Sequence, residues 1–191
     1  KYKNPIILIS SNKLVSLQMK KLKVKKKIKL LDISKLNKYD LNNKSINLID
    51  INFNQKKAFQ KITNKSNKFI KECLQIAFKL IKSKYSSKLI NGPISKKTFL
   101  KKKNLGMTEY IAEEFKVKKK AMLIYNKELS VCPLTTHLPI KLVAKNISKK
   151  LIEDKIQLIN RFFKKTLKYS PKIGVTSLNP HCESILNFNE D

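Results

Sequence analysis

The sequence predicts an α/β fold in which helices and strands form layers. Short apolar runs typical of buried strands alternate along the chain with stretches whose apolar residues recur at helical spacing. This alternation implies a sheet that is largely parallel or mixed. The 191 residues are 41% hydrophobic and 29% charged, so the chain can bury a core. No apolar run approaches the roughly 18 residues that a membrane span requires.

The predicted elements follow one another along the chain with no clear internal boundary. The predicted strands are residues 5–9, 28–33, 46–51, 88–91, 121–125, 129–134 and 172–178. The predicted helices are residues 13–22, a stretch within 56–84, residues 95–102 and 108–115, and a helix that Ser148 caps. In this last helix a single apolar stripe is expected, formed by Ile152, Ile156, Ile159, Phe163 and Leu167.

The net charge of +30 raises the question of nucleic-acid binding. Arg161 is, however, the only arginine among 43 basic residues, whereas readers of phosphates and base edges favour the guanidinium group. Isoleucine and asparagine are also frequent, and glycine occurs only three times, as expected from an AT-biased coding sequence. The charge therefore does not predict a nucleic-acid partner.

Cysteine usage and the chain ends suggest the cellular context. Cys73, Cys132 and Cys182 are an odd number without CxxC spacing, so no disulfide framework is expected and the cytoplasm is the default compartment. No signal peptide is recognisable. The chain begins at Lys1 and stops in a loop-like NFNED, so we expect an internal fragment of a longer protein.

The two histidines have matched contexts. His137 follows the predicted strand 129–134, and His181 follows the predicted strand 172–178, each beside a proline. Because ligands of open α/β sheets bind outside the carboxyl ends of strands, the imidazoles are expected to face a common cleft. They are candidates for a divalent-metal pair, and the alternative is two ordinary loop histidines.

Two glycine-containing loops precede predicted helices. Gly92 lies in NGPISK, where Lys96 could add a positive charge, and Gly106 lies in GMTE. Thr108 is expected to cap a helix that begins at Glu109, because threonine is a frequent N-cap residue. The N–H groups of such a helix end also attract a phosphate or carboxylate.

Taken together, these loops resemble a known family. The order NGPISK, GMTEYIAE, PLTTHLPI and GVTSLNPH is similar to TGPxxK, GHTExxAE, TTHxPL and GLNPHAGE of the 4-hydroxythreonine-4-phosphate dehydrogenases of vitamin B6 biosynthesis. The resemblance runs from about residue 89 to residue 183. It implies an α/β/α fold like that of isocitrate and isopropylmalate dehydrogenases, with residues 1–191 as part of one dehydrogenase fold.

The resemblance also implies a chemistry. Members use NAD to oxidise 4-phosphohydroxy-L-threonine to a β-keto acid, which decarboxylates to 3-amino-2-oxopropyl phosphate. They bind a divalent metal (zinc, magnesium or cobalt) through three histidines, in a homodimer with shared active sites. By motif position His137 and His181 resemble two of the metal ligands, and Thr108 resembles a substrate-binding threonine. No nucleic-acid or membrane partner is implied.

The sequence departs from the family pattern at several points. Met107 stands where the family has a substrate-contacting histidine, NGP replaces TGP, and CES replaces AGE after LNPH. The third metal histidine and the GEPAGIG-like segment have no counterpart in the chain, so it is not expected to hold a complete active site alone. The alternatives are a dehydrogenase of another phosphorylated hydroxy acid such as a phosphoerythronate, a basic nucleic-acid-binding domain, and a degenerate homologue that only binds.

Overall fold

The structure is a computed structural model that describes residues 3–100 and 106–177. Packing divides the chain into two compact units, Lys1–Lys102 and Lys103–Asp191. The first unit contains the strands β1 (Ile7–Ser10), β2 (Ile28–Leu30) and β3 (Ile46–Asp50) and the helices α1 (Asn12–Lys21) and α2 (Asn67–Lys82). The second unit contains the helices α3 (Met107–Glu114) and α4 (Lys149–Phe162). Mixed helices and a small parallel sheet agree with the predicted α/β class.

The sheet of the first unit is parallel, in the order β1-β3-β2. The central strand β3 pairs with β1 from Ile7–Asn47 to Ser10–Asp50, and with β2 from Ile28–Ile46 to Leu30–Leu48. The predicted strands 5–9, 28–33 and 46–51 are thus confirmed, although β2 ends three residues early. It ends there because Asp32 caps a short 3-10 helix, accepting a hydrogen bond from the Ser34 N–H at 2.8 Å.

The helices of the first unit begin and pack as their sequences dictate. Ser11 caps α1 by accepting a hydrogen bond from the Leu14 N–H, and Asp50 at the end of β3 accepts from the Asn12 N–H at 2.7 Å. The carboxyl edge of the sheet therefore holds the start of α1. Helix α2 packs against β1. The core is a cluster of buried apolar residues from the sheet, the 3-10 helix and α2: Leu31, Leu36, Ile49 and Leu80.

Cys73 on α2 is a free thiol whose chemistry is set by packing. Burial, with a smaller contribution from the Glu72 carboxylate, raises the pKa of the Cys73 thiol to about 11. The thiolate is the reactive form, so at pH 8 the folded protein presents far less of it than the unfolded chain.

We therefore expect iodoacetamide to alkylate Cys73 at least tenfold more slowly in the folded protein than in urea. The measurement uses a variant that keeps only this thiol (Cys132→Ser, Cys182→Ser) at pH 8, with the rate followed by mass spectrometry. Equal rates in the two states would contradict a thiol protected by the packing of α2.

Four predicted strands, one in the first unit and three in the second, do not form as predicted in the described residues. Residues 121–125 and 129–134 form a single antiparallel bridge, between Ile124 and Val131, and residues 88–91 and 172–177 contain no strand. The bridging side chains are exposed, Ile124 to 62% and Val131 to 51%. A strand needs a neighbour for its backbone hydrogen bonds, and an apolar run does not reveal whether the fold supplies one.

The last helix forms as predicted, but its stripe is only partly covered. Ser148 caps α4, accepting a hydrogen bond from the Leu151 N–H at 3.2 Å. Of the predicted stripe only Phe163 is fully buried, at a π-helical turn that follows α4. Its ring contacts the rings of Tyr125, Phe162 and Tyr169. In the described ranges, no helix is both long and apolar enough to cross a membrane.

Candidate functional site

Helix α3 provides one wall of the candidate site, and it begins earlier than predicted. Gly106 is its N-cap in an extended conformation (φ −161°, ψ 177°), and the Tyr110 N–H donates to the Gly106 carbonyl at 3.1 Å. The prediction that Thr108 caps a helix beginning at Glu109 is therefore wrong. The first turn closes on the carbonyl of Gly106, so Thr108 is already the second helical residue.

His137 provides the opposite wall, from a loop rather than from a strand end. Since no strand spans 129–134, its predicted position at the carboxyl end of a parallel strand is wrong. The residue has φ 57°, in the left-handed region that non-glycine residues rarely occupy. Such a conformation costs about 1–2 kcal/mol. Four lysines of the described residues also have a positive φ (Lys23, Lys84, Lys116 and Lys168), so this conformation alone does not mark a functional residue.

Gly106 lies in contact with both walls. A Cβ at this buried position would come within 2.8 Å of Glu109 Oε2 and within 3.4 Å of His137 Nε2. A side chain there would require the carboxylate of Glu109 to move aside. The carboxylate of Glu109 and the imidazole of His137 thus both lie close to the backbone at the start of α3.

A small open cavity of about 40 Å³ lies where these walls meet. It has room for a few waters or a hydrated ion, and far less than a drug-sized ligand pocket. Its walls come from α3, from the segment that precedes the isolated bridge, from the histidine loop and from α4. The lining residues are Thr108, Glu109, Lys120, Ala121, Met122, Thr136, His137 and Lys155.

Some charged groups around the cavity have hydrogen-bond partners, and one carboxylate oxygen has none. Lys155 Nζ donates a hydrogen bond to the Lys120 carbonyl at 2.7 Å, and beside it Lys119 forms an ion pair with Asp154, also at 2.7 Å. Glu109 Oε2, in contrast, is buried and has no hydrogen-bond partner. The cavity is therefore lined by two lysines, one of which is hydrogen-bonded to a backbone carbonyl, and by a glutamate with one oxygen that lacks a donor.

The structure describes three of the four predicted site residues. Thr108 and His137 line the same cavity, while Met107 is partly buried at the first position of α3 and is not among the lining residues. His181 lies outside the described residues, so its sharing of a cleft with His137 stays a prediction.

Among the lining residues that sequence reasoning missed are a glutamate and two lysines. Glu109 was considered only as a helix-opening residue, although its position three residues after Gly106 allows its carboxylate to fold back over the helix start. Lys120 and Lys155 had no distinguishing signal, because they are two of many lysines and are 35 positions apart in sequence.

The donor atoms at the site can be compared with those that divalent cations prefer. Imidazole nitrogen and carboxylate oxygen are both ordinary ligands of zinc and related metals. Glu109 Oε2 has no hydrogen-bond partner. In the part of the chain that the structure describes, no group of three or more His, Cys, Asp or Glu side chains could hold a metal. The donor type of His137 fits a metal, but the described residues do not complete a site, which normally has three protein ligands.

The sequence of the chain matches a family of biosynthetic proteins. The family model "Pyridoxal phosphate biosynthetic protein PdxA" matches residues 1–190, so the chain belongs to this family. Curated relatives carry the name 4-hydroxythreonine-4-phosphate dehydrogenase. The chain is 38% identical over 121 residues to the protein of this name from Sulfurihydrogenibium sp. (strain YO3AOP1). The matched stretch covers 62% of this chain and 38% of the relative.

Other relatives agree over shorter stretches. The chain is 41% identical over 76 residues to the Aquifex aeolicus (strain VF5) protein, and this stretch covers 40% of this chain and 24% of the relative. It is 35% identical over 97 residues to the Bacteroides thetaiotaomicron protein, and this stretch covers 49% of this chain and 27% of the relative. The matched stretches thus span less than half of the length of these relatives.

Proposed function

We propose that the chain is part of an NAD- and divalent-metal-dependent 4-hydroxythreonine-4-phosphate dehydrogenase of pyridoxal phosphate biosynthesis. The substrate is 4-phosphohydroxy-L-threonine, oxidised to a β-keto acid that loses carbon dioxide to give 3-amino-2-oxopropyl phosphate. The family match over residues 1–190 is the observation that carries this proposal. The names of the relatives support it.

The residues of the cavity suit this substrate. Lys120 and Lys155 line the cavity, and their positive charge would favour a phosphate or carboxylate there. The first N–H groups of α3 have no acceptor within the helix, so they can bind an anion beside the Thr108 hydroxyl. The cavity is too small for the whole substrate, so we assign to it the binding of one charged end and of the cation.

His137 would hold the cation through its imidazole, with His181 as a second ligand by motif position. When bound, the cation would supply Lewis acidity for the developing alkoxide, and NAD would supply the hydride acceptor. We assign to the lysines the orientation of the substrate. Orientation of this kind lowers the barrier by holding the reacting atoms close. We assign no residue of this chain to NAD.

The family resemblance also underlies the proposed oligomeric state and cellular location. We propose a homodimer with shared active sites in the cytoplasm, without a nucleic-acid or membrane partner. Large apolar side chains of the second unit are strongly exposed, including Leu129 at 74% and Ile140 at 91%, as at surfaces that a second copy covers.

The proposed activity is tested by kinetics on the complete protein. NADH formation is measured with 4-phosphohydroxy-L-threonine, NAD and Co²⁺, with and without EDTA. Parallel reactions contain 4-phosphoerythronate. Turnover of the phosphohydroxythreonine that EDTA abolishes is the expected result. Turnover of the phosphoerythronate alone would establish the alternative substrate, and no turnover of either would refute a dehydrogenase.

Met107→His is expected to raise kcat/KM for 4-phosphohydroxy-L-threonine in the complete protein by tenfold or more. The methionine thioether cannot donate a hydrogen bond to phosphate, whereas histidine can. A charge-assisted hydrogen bond contributes about 1.5–3 kcal/mol. The measurement is made with saturating NAD and metal. An unchanged or lower value would favour the alternative substrate, because the pocket would then be built differently.

A further inference from the structure

Residues 122–131 of the second unit form a short β-hairpin. The Ile124 N–H donates a hydrogen bond to the Val131 carbonyl at 2.8 Å, and the Val131 N–H donates to the Ile124 carbonyl at 3.0 Å. At the turn, the Ser130 hydroxyl donates to the Asn126 carbonyl at 2.9 Å. The two arms are therefore held together, although no other described strand pairs with either of them.

The exposed apolar side chains of this hairpin lie on one of its sides. Opposed residues of an antiparallel pair, and the residues two positions from them, point to the same side. By this rule Met122, Ile124, Leu129 and Val131 share a side, and they are between 41% and 74% exposed. The intervening residues 123 and 130 are less exposed. The four side chains form an apolar surface, which we term the hairpin face.

The hairpin face lies in a stretch that lacks the positive charge of the rest of the chain. Residues 121–140 contain only two charged residues, Lys127 and Glu128, in a chain with a net charge of +30. Proteins commonly protect exposed strand edges with lysine. All but one of the 43 basic residues of this chain are lysines, yet the hairpin face is left without this protection.

These two properties decide which partner the hairpin face fits. Contiguous exposed apolar side chains mark interaction surfaces, and their burial stabilises association without opposite charges. An acidic partner would be attracted to the lysine-rich surfaces instead. Two copies of a chain with a charge of +30 repel each other, and this repulsion is weakest where the facing residues carry no net charge. The partner that fits is therefore a second copy of this chain.

We propose that the hairpin face is the surface through which two copies of this chain associate. This inference rests on the proposed function, which includes a homodimer, and it names the interface. In a two-fold arrangement both copies use the same face. Met122 belongs both to the hairpin face and to the lining of the cavity, so the second copy would lie beside the cavity.

The test is sedimentation velocity of the whole chain over a range of protein concentrations, at low and at high NaCl. The variant is Leu129→Glu, which places a charge on the hairpin face without altering the cavity lining. The matched control is Ile62→Glu, because Ile62 lies in the first unit and is 73% exposed, almost as much as Leu129 at 74%. Circular dichroism of each variant verifies that the fold is retained.

We expect the parent chain and Ile62→Glu to dimerise equally, and Leu129→Glu to dimerise at least tenfold more weakly, because it buries an unpaired charge. Higher NaCl should strengthen the parent dimer, since salt screens the repulsion between the two positive copies and leaves the apolar contacts. A monomeric parent chain, unchanged dimerisation in Leu129→Glu, or a dimer that NaCl weakens would refute this interface.

The complete protein separates this proposal from the proposed function. Its molar mass is measured by light scattering, and its NADH formation is measured alongside, with and without Leu129→Glu. A dimer that Leu129→Glu dissociates is the expected result. An active protein whose dimer ignores Leu129→Glu would refute the interface and leave the dehydrogenase standing, with other residues covering the hairpin face. A dimer that depends on Leu129 but oxidises no substrate would support the interface and refute the dehydrogenase.

Discussion

Replacement of His137 by alanine is expected to lower kcat/KM of the complete protein for 4-phosphohydroxy-L-threonine at least a hundredfold. That factor corresponds to about 2.7 kcal/mol of lost transition-state stabilisation. The reason is that the imidazole faces the cavity beside Glu109 and Gly106, where it is proposed to hold the cation. NADH formation is the measurement, with Co²⁺ affinity recorded in parallel.

A glycine at this position separates the role of the ring from the strain of the backbone. His137→Gly should lose as much activity as His137→Ala, but it should be more stable by about 1 kcal/mol, because only glycine adopts φ 57° without cost. Lys116→Gly, at φ 53° beyond the cavity lining, is the control that should gain stability while activity is retained. A His137→Ala enzyme with normal turnover would refute the assigned site.

The parts of the fold that the sequence predicted are those that local chemistry decides. The strands of the first unit were found because PIILI and INLID are short apolar runs, and the second of these forms the largely buried central strand β3. Ser148 was found as an N-cap because the hydroxyl needs only the N–H three residues on. In both cases the signal and the structure lie within one segment.

The parts that failed depend on neighbours that a single segment does not specify. Residues 129–134 have the apolar character of a strand, yet only Val131 pairs, so His137 is placed by a loop. Thr108 was expected to be a cap because of its residue type, but the extended backbone of Gly106 starts the helix first. Lys155 reaches the cavity through the packing of α4, which no motif encodes.

The sequence predicted some residues of the candidate site and missed others. His137 was identified from its rarity and its loop, and the structure brings it to one cavity with Thr108. Glu109 became a candidate only when the structure showed its buried oxygen without a partner. Convergence of Thr108 and His137, which are 29 positions apart, is a tertiary property, and it was accessible to sequence reasoning only through the family resemblance.

Phe78→Ala is expected to lower the free energy of unfolding by about 3–5 kcal/mol, the range measured for large-to-small changes at aromatic core positions. The ring of Phe78 is only 2% exposed on α2, the helix that packs against β1. The loss exceeds the simple transfer of a phenyl ring to water, because the surrounding side chains cannot fully close the cavity.

Urea denaturation followed by circular dichroism measures this loss. Lys79→Ala, at the adjacent exposed position of α2, is the matched control and should stay within about 0.5 kcal/mol of the parent protein. A cost below about 1 kcal/mol for Phe78→Ala would mean that α2 does not close the core as described. The full loss would instead show that the packing of α2 against the sheet, rather than helix propensity, holds the first unit together, because alanine is the better helix former.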